Sequence, residues 1–197
     1  MLKDGVTLYF VRHGETDWNK AQRYQGQRDI PLNATGRAQA EANGRTLERA
    51  LGTTAATLDF VSSPLLRTRE TMEIVRETMG LSRDGYRQDP RLAEIHYGHW
   101  EGQLWSELPT LDPDGFAARQ ANFWGWQPRG GESYAMLSQR IAGWLETVER
   151  TAVIVAHGGV MRVMRGLTEG LAPEAVQALP VPQDKVLVLE GDSARWL

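Results

Sequence analysis

The stretch VRHGETDWN, residues 11–19, places one of only four histidines between an arginine and a glycine, directly after an apolar run. The residues leading into it, Thr7-Leu8-Tyr9-Phe10-Val11, are β-branched, aromatic or aliphatic without a break. Such a run reads as a strand buried on both faces of a parallel sheet. His13 then lies just outside the carboxyl end of that strand, the edge at which open α/β sheets bind their ligands.

Working outward, strand-like and helix-like patterns alternate over most of the chain. Thr35 is placed to cap a helix running to about Leu51, and LDFVSS (58–63) reads as a second strand. Ser63 and Pro64 suit the N-cap and first position of a helix whose apolar stripe is Leu65, Thr68, Met72, Val75 and Met79. A further amphipathic helix begins near Ser133, followed by a third strand, TAVIVA (151–156), and then by His157-Gly158-Gly159 and a helix carrying Val160, Val163, Met164 and Leu167. KVLVLEG (185–191) reads as the last strand. The alternation predicts an α/β layered fold.

At 197 residues and 41% hydrophobic composition the chain suits one core, so a single domain over 1–197 is expected. The stretch from Trp105 to Gly131 differs in character, with three prolines, three tryptophans and a weak helical pattern around 114–124. It reads as an irregular, cap-like insertion over the carboxyl edge of the sheet, too short to form a core of its own. A formal charge of −3 with no run of like charge argues against nucleic acid as a partner. The absence of cysteine excludes disulfides, thiolate catalysis and Cys-based zinc sites. Neither a signal-peptide core nor a bilayer-length apolar run is present, so a soluble cytoplasmic protein without a membrane partner is the expectation. An apolar sheet edge or the insertion offers a surface for a homodimer.

Two apolar strands end in histidine followed by glycine, VRHG (11–14) and VAHGG (155–159). In a parallel sheet both imidazoles leave the same edge. A third strand end adds Ser62-Ser63-Pro64 and, within the first helical turn, Arg67. The helix starts after Ser63 and after His157 aim free N–H groups at that edge, Gly158 among them. Arg12, Arg67, His13, His157 and these amides together form an anion-seeking hollow, and a phosphate group suits it best because the guanidinium fork matches phosphate oxygens in pairs. A neutral imidazole there can attack phosphorus and carry the phosphoryl group until water removes it. A proton donor for the leaving alcohol is still needed, and the run RLAEIHYGHWEG (91–102) offers Glu94, with Glu101 as the reserve candidate.

RHGETDWN (12–19), SSPLLRTRET (62–71), Glu94 with HYGHWEG (96–102), GGES (130–133) and AHGG (156–159) resemble, in order, the motifs of the histidine phosphatase, or phosphoglycerate mutase-like, superfamily. The resemblance spans nearly the whole chain. It implies a three-layer α/β/α sandwich around a mostly parallel mixed sheet. It also implies His13 as the phosphorylated nucleophile, with Glu94 as general acid/base. Arg12, Arg67 and His157 become phosphate ligands, and Asn19 a neighbouring polar contact. Cofactor-dependent mutases of this superfamily continue the acid segment with Glu-Arg-His-Tyr-Gly and then Gly-Leu-Asn-Lys. Here Ile95 follows Glu94, and Gln103-Leu104-Trp105 follows Gly102, so the extra cations are missing. The expected activity is therefore a phosphomonoesterase needing neither metal nor cofactor and acting on a small-molecule phosphate ester. The alternatives are mutase-type phosphotransfer and a non-catalytic module that binds a phosphorylated ligand. His96 and His99 form an H-x-x-H pair, but the other two histidines already belong to the hollow, so a zinc site is not expected. Asp112-Pro113-Asp114-Gly115 reads as a turn, not as a magnesium-binding loop.

Overall fold

The computed structural model describes residues 2–197. Among these residues six strands form one sheet: β1 (Thr7–Arg12), β2 (Asp59–Ser62), β3 (Arg87–Gln88), β4 (Ala152–Ala156), β5 (Val186–Glu190) and β6 (Ser193–Trp196). Their order across the sheet is β3-β2-β4-β1-β5-β6. The first four run parallel, whereas β5 lies antiparallel to both β1 and β6. The sheet is thus mixed and mostly parallel, as the sequence reading expected. KVLVLEG is not the last strand, because the chain turns at Gly191 and returns as β6, whose polar start and short length (SARW) hide it in the sequence.

Among the described residues eight α-helices flank or cap this sheet: α1 (Asp17–Lys20), α2 (Ala34–Leu51), α3 (Leu66–Thr78), α4 (Leu108–Leu111), α5 (Pro113–Ala121), α6 (Tyr134–Leu145), α7 (Gly158–Glu169) and α8 (Pro173–Ala178). The period-2 alternation of the strands divides the core into two halves. Val11, Val153 and Val155 face α2 and α3 through Leu47, Met72 and Val75. Leu8, Phe10 and Ile154 face α6 and α7 through Leu137, Ile141 and Val163. Helices on both faces of the sheet make the three-layer sandwich.

Two helix starts differ from the sequence reading. Asn33, not Thr35, caps α2: its side-chain oxygen accepts from the Gly36 N–H at 2.9 Å. The N-cap of α3 is Leu65 and its first residue Leu66, so Ser63 and Pro64 lie before the helix. The Ser63 hydroxyl is committed elsewhere, to His157. The Asp112-Pro113-Asp114-Gly115 stretch opens a helix and is not a free turn, since Asp112 caps α5 by accepting from the Gly115 N–H at 3.1 Å with Pro113 at the first position. No helix among the described residues is long and apolar enough to cross a membrane.

Candidate active site

The parallel register gathers the predicted residues. Arg12 at the end of β1 pairs with Ala156 at the end of β4, and Ser62 at the end of β2 pairs with Val155. The ladder continues one step beyond the strands: the His13 N–H donates to the Ala156 carbonyl at 2.9 Å and the Ser63 N–H to the Val155 carbonyl at 3.0 Å. Three strand ends therefore deliver His13, Ser63 and His157 side by side. The rings of His13 and His157 meet edge to face with centroids 5.2 Å apart.

Hydrogen bonding assigns the His13 tautomer. Nδ1 lies 2.8 Å from the Gly14 carbonyl oxygen, which can only accept, so Nδ1 carries the proton and Nε2 keeps its lone pair. Burial, and then the charges of Arg67 and Arg12, push the imidazole pKa well below its usual 6.5, so the ring is neutral at neutral pH. Gly14 can sit there because it packs against another glycine; a Cβ on it would lie 2.1 Å from the Gly36 carbonyl oxygen.

Arg67 is fully buried, and its guanidinium is held on three sides. Its Nε–H points to His13 Nε2 at 3.3 Å, while the two terminal nitrogens donate to the carbonyls of Arg28 at 2.8 Å and Gly26 at 2.7 Å. Arg12 donates through Nη1 to the Val181 carbonyl, and its buried Nε has no protein partner. Burial lowers both guanidinium pKa values to about 10, with Glu94 pulling each back up, so both remain cationic at neutral pH.

His157 is also buried and is held neutral by burial and by the nearby Arg67 charge. His157 Nε2 lies 2.8 Å from the Ser63 hydroxyl, which also accepts from the Leu65 N–H at 3.4 Å. Nδ1 of His157 is buried and has no partner in the protein. A Ser63 proton given to Nε2 would leave Nδ1 as the protonated nitrogen, a free donor for an anion.

Glu94 is almost fully buried. One carboxylate oxygen accepts from the Ile95 N–H at 3.0 Å and the other from the Gly159 N–H, in the first turn of α7, at 3.1 Å. Arg12, His13, Asn19, Arg67, Glu94 and Gly158 all line one cavity of about 510 Å³. Asn19 has a second duty there: its Oδ1 accepts from the Thr16 N–H at 3.1 Å, and Thr16 Oγ1 accepts from the Asn19 N–H in return, which closes a capping box on α1.

His96 and His99 do not converge. His96 Nδ1 accepts from the Gly98 N–H at 2.9 Å, while His99 Nε2 lies 2.9 Å from Asp112. Of the tryptophans between 100 and 126, Trp100 is buried against Trp126 and donates to Asp112, Trp124 packs on the core, and Trp105 lines a second cavity beside the first. Sequence reasoning missed the Gly26, Arg28 and Val181 carbonyls, the role of Ser63, and the cavity-lining Tyr24, Tyr97 and Arg162. It also missed Gln183, whose side-chain amide donates to the His13 carbonyl at 3.0 Å.

The sequence profile of the histidine phosphatase superfamily (branch 1) matches residues 8–197. Phosphoserine phosphatase 1 of Hydrogenobacter thermophilus is 35% identical over 170 residues, covering 81% of this chain and 74% of that protein. The probable phosphoglycerate mutase GpmB of Salmonella paratyphi C is 33% identical over 200 residues, covering 98% and 88%. Among solved structures, a mycobacterial glucosyl-3-phosphoglycerate phosphatase in complex with VO3 superposes with a TM-score of 0.78 at 31% identity, covering 98% of this chain and 96% of that one.

Proposed function

The chain belongs to the histidine phosphatase superfamily, and from that premise we propose that it is a metal-independent phosphomonoesterase that works through a phosphohistidine on His13. The observation that carries the reading is the neutral His13 Nε2, its lone pair beside the Arg67 guanidinium in a cavity that also holds Arg12 and Glu94. A relative named as a phosphatase and solved with VO3, an oxyanion, supports the phosphatase part of this reading.

In the proposed cycle the phosphate group of a small metabolite sits between Arg12, Arg67, His157 Nδ1–H and the first amides of α7, Gly158 included. The two guanidinium charges match the phosphate dianion. His13 Nε2 attacks phosphorus opposite the ester oxygen; the N–P bond forms as the P–O bond breaks, and Glu94 in its acid form gives its proton to the departing alcohol. The Gly14 carbonyl, bonded to Nδ1–H, disperses the positive charge on the phosphorylated ring. Glu94, now a carboxylate, takes a proton from water, whose oxygen attacks phosphorus. The N–P bond breaks and its electron pair returns to Nε2. Uncatalysed cleavage of such esters is slow enough to require up to ~10²¹-fold acceleration, so fixed charge around the phosphoryl oxygens has to supply much of the barrier reduction. The 105–131 segment serves in this reading as a cap over the site, and Asn19 as a contact at its rim.

Phosphate release by the wild type and by His13→Ala, with and without chelator, tests the proposal. Turnover that survives chelation and disappears in the variant is the expected result; activity restored only by zinc or magnesium would overturn it. The kinship with the Salmonella protein keeps a mutase reading in view, and transfer of label between two hydroxyls with little free phosphate would favour it.

A further inference from the structure

The cavity at His13 abuts a second one of about 370 Å³, and the two share Gln22, Arg23, Tyr24, Tyr97 and Arg162. The far wall of the second comes from the 105–131 segment, through Trp105, Arg119, Gln120 and Phe123. A phosphate ester seated at His13 would extend its alcohol portion into this space.

The charges there are one-sided. Arg23, Arg119 and Arg162 line the second cavity, and no Asp or Glu does; Glu94 is the one carboxylate lining the first among the described residues. Two other partly buried arginines are neutralised within the protein, Arg140 by Glu132 at 2.7 Å and Arg165 by Glu169 at 2.8 Å. Arg119 instead lies over the Trp105 and Phe123 rings, 4.9 and 5.1 Å from their centroids. Arg162 commits its Nε–H to the Leu179 carbonyl at 3.1 Å, which orients the guanidinium and leaves its terminal nitrogens to spare. Its charge is felt at Arg12, whose pKa it helps to lower. Aromatic walls alone would suit an uncharged ring. Cations held among them, already repelling the phosphate-binding arginine, are stabilised by an anion in this partly dry space.

We propose that the second cavity is a leaving-group subsite for an alcohol bearing a second anionic group, carboxylate or phosphate, with Arg119 and Arg162 as its ligands. This specificity rests on the phosphatase reading above. The substrate class is then a phosphomonoester with at least one further negative charge, its carbon skeleton against Tyr24, Tyr97 and Trp105.

The test compares esters that differ only in that charge: phosphoglycerate against glycerol phosphate, carboxyphenyl phosphate against phenyl phosphate, and butanediol bisphosphate against the monophosphate. The expected result is a kcat/KM about 10- to 100-fold higher for the charged member of a pair, the range of a charge-assisted hydrogen bond. The first two pairs report a carboxylate-selective subsite and the third a phosphate-selective one. Arg119→Gln and Arg162→Gln should collapse the ratio within a pair, and Arg119→Lys should retain part of it. Binding of the same pairs to His13→Ala, followed by calorimetry, separates the two readings. Absent turnover of every ester by the wild type, with preferential binding of the charged member, overturns the phosphatase and keeps the subsite. Equal binding of both members, or a ratio unchanged in both glutamine variants, overturns the subsite.

Discussion

Glu94 and Gly159 are in closest packing: the Gly159 N–H donates to one Glu94 oxygen at 3.1 Å, and a Cβ on Gly159 would stand 2.5 Å from the other. The carboxylate is thus seated on the first turn of α7, in a space only glycine leaves free. Gly159→Ala has to displace Glu94, and Glu94→Gln removes the acid of the proposed cycle. Both variants should lose activity most on esters of alkyl alcohols, by about 10²- to 10⁴-fold for the Gln variant, because proton donation matters most for a poor leaving group. On nitrophenyl phosphate, whose phenolate departs without help, the loss should be much smaller. Equal losses on both ester classes would remove Glu94 from the acid role.

The buried imidazoles make stability depend on pH in a defined sense. His13 and His157 both have folded pKa values held well below 6.5, so the unfolded chain takes up their protons first as the pH drops. Above 6.5 neither state binds them and the full stability is present. Between that point and the folded pKa values the unfolding free energy falls with falling pH, at about 1.4 kcal/mol per pH unit for each proton taken up. Denaturant titrations from pH 7 to about 5 should show this slope, and His13→Asn combined with His157→Gln should flatten it. An unchanged slope in the double variant would place the acid sensitivity elsewhere.

Ser63 gives a third expectation. Its hydroxyl lies 2.8 Å from His157 Nε2, and a proton donated there would fix the tautomer protonated at Nδ1, the nitrogen without a protein partner. Ser63→Ala frees His157 to protonate Nε2 instead, which would turn an acceptor toward the phosphate site. A fall of about 10-fold or more in kcat/KM with near-native melting is expected, and Ser63→Thr should restore much of it. A wild-type rate in the alanine variant would show that the tautomer is set by other means.

The residues legible in the sequence share one property: their chemistry resides in the side chain. Arg12, His13 and His157 announce themselves at strand ends because apolar runs such as Phe10-Val11 and Ile154-Val155 stop abruptly at charged or imidazole groups, and Arg67 follows a third strand end in the first helical turn. The parallel register then brings those ends together whatever lies between. The clamp on Arg67 is built from the Gly26 and Arg28 carbonyls, and every residue has a carbonyl, so nothing in the sequence marks these two. Likewise β3 is two exposed polar residues, an edge whose pairing is decided by its neighbour β2. Ser63 was legible as a hydroxyl at the right place, but local pattern favoured a helix cap, and only the tertiary approach of His157 redirected it.

Arg67 supplies the last prediction, because its charge and its shape can be separated. Its three bonded nitrogens point to His13 Nε2, Arg28 O and Gly26 O at once. Lysine keeps a positive charge near the phosphate but cannot span those partners, and it leaves one or both carbonyls buried without a donor. Each such loss costs about 1–3 kcal/mol. Arg67→Lys should therefore unfold at lower denaturant and lose at least about 10²-fold in kcat/KM, with orthovanadate inhibition weakened in parallel. If charge alone sufficed, the variant would keep its rate and vanadate affinity while losing only stability. The joint loss would instead identify the planar fork, held rigid by two main-chain oxygens, as the element that aligns the phosphoryl group on His13.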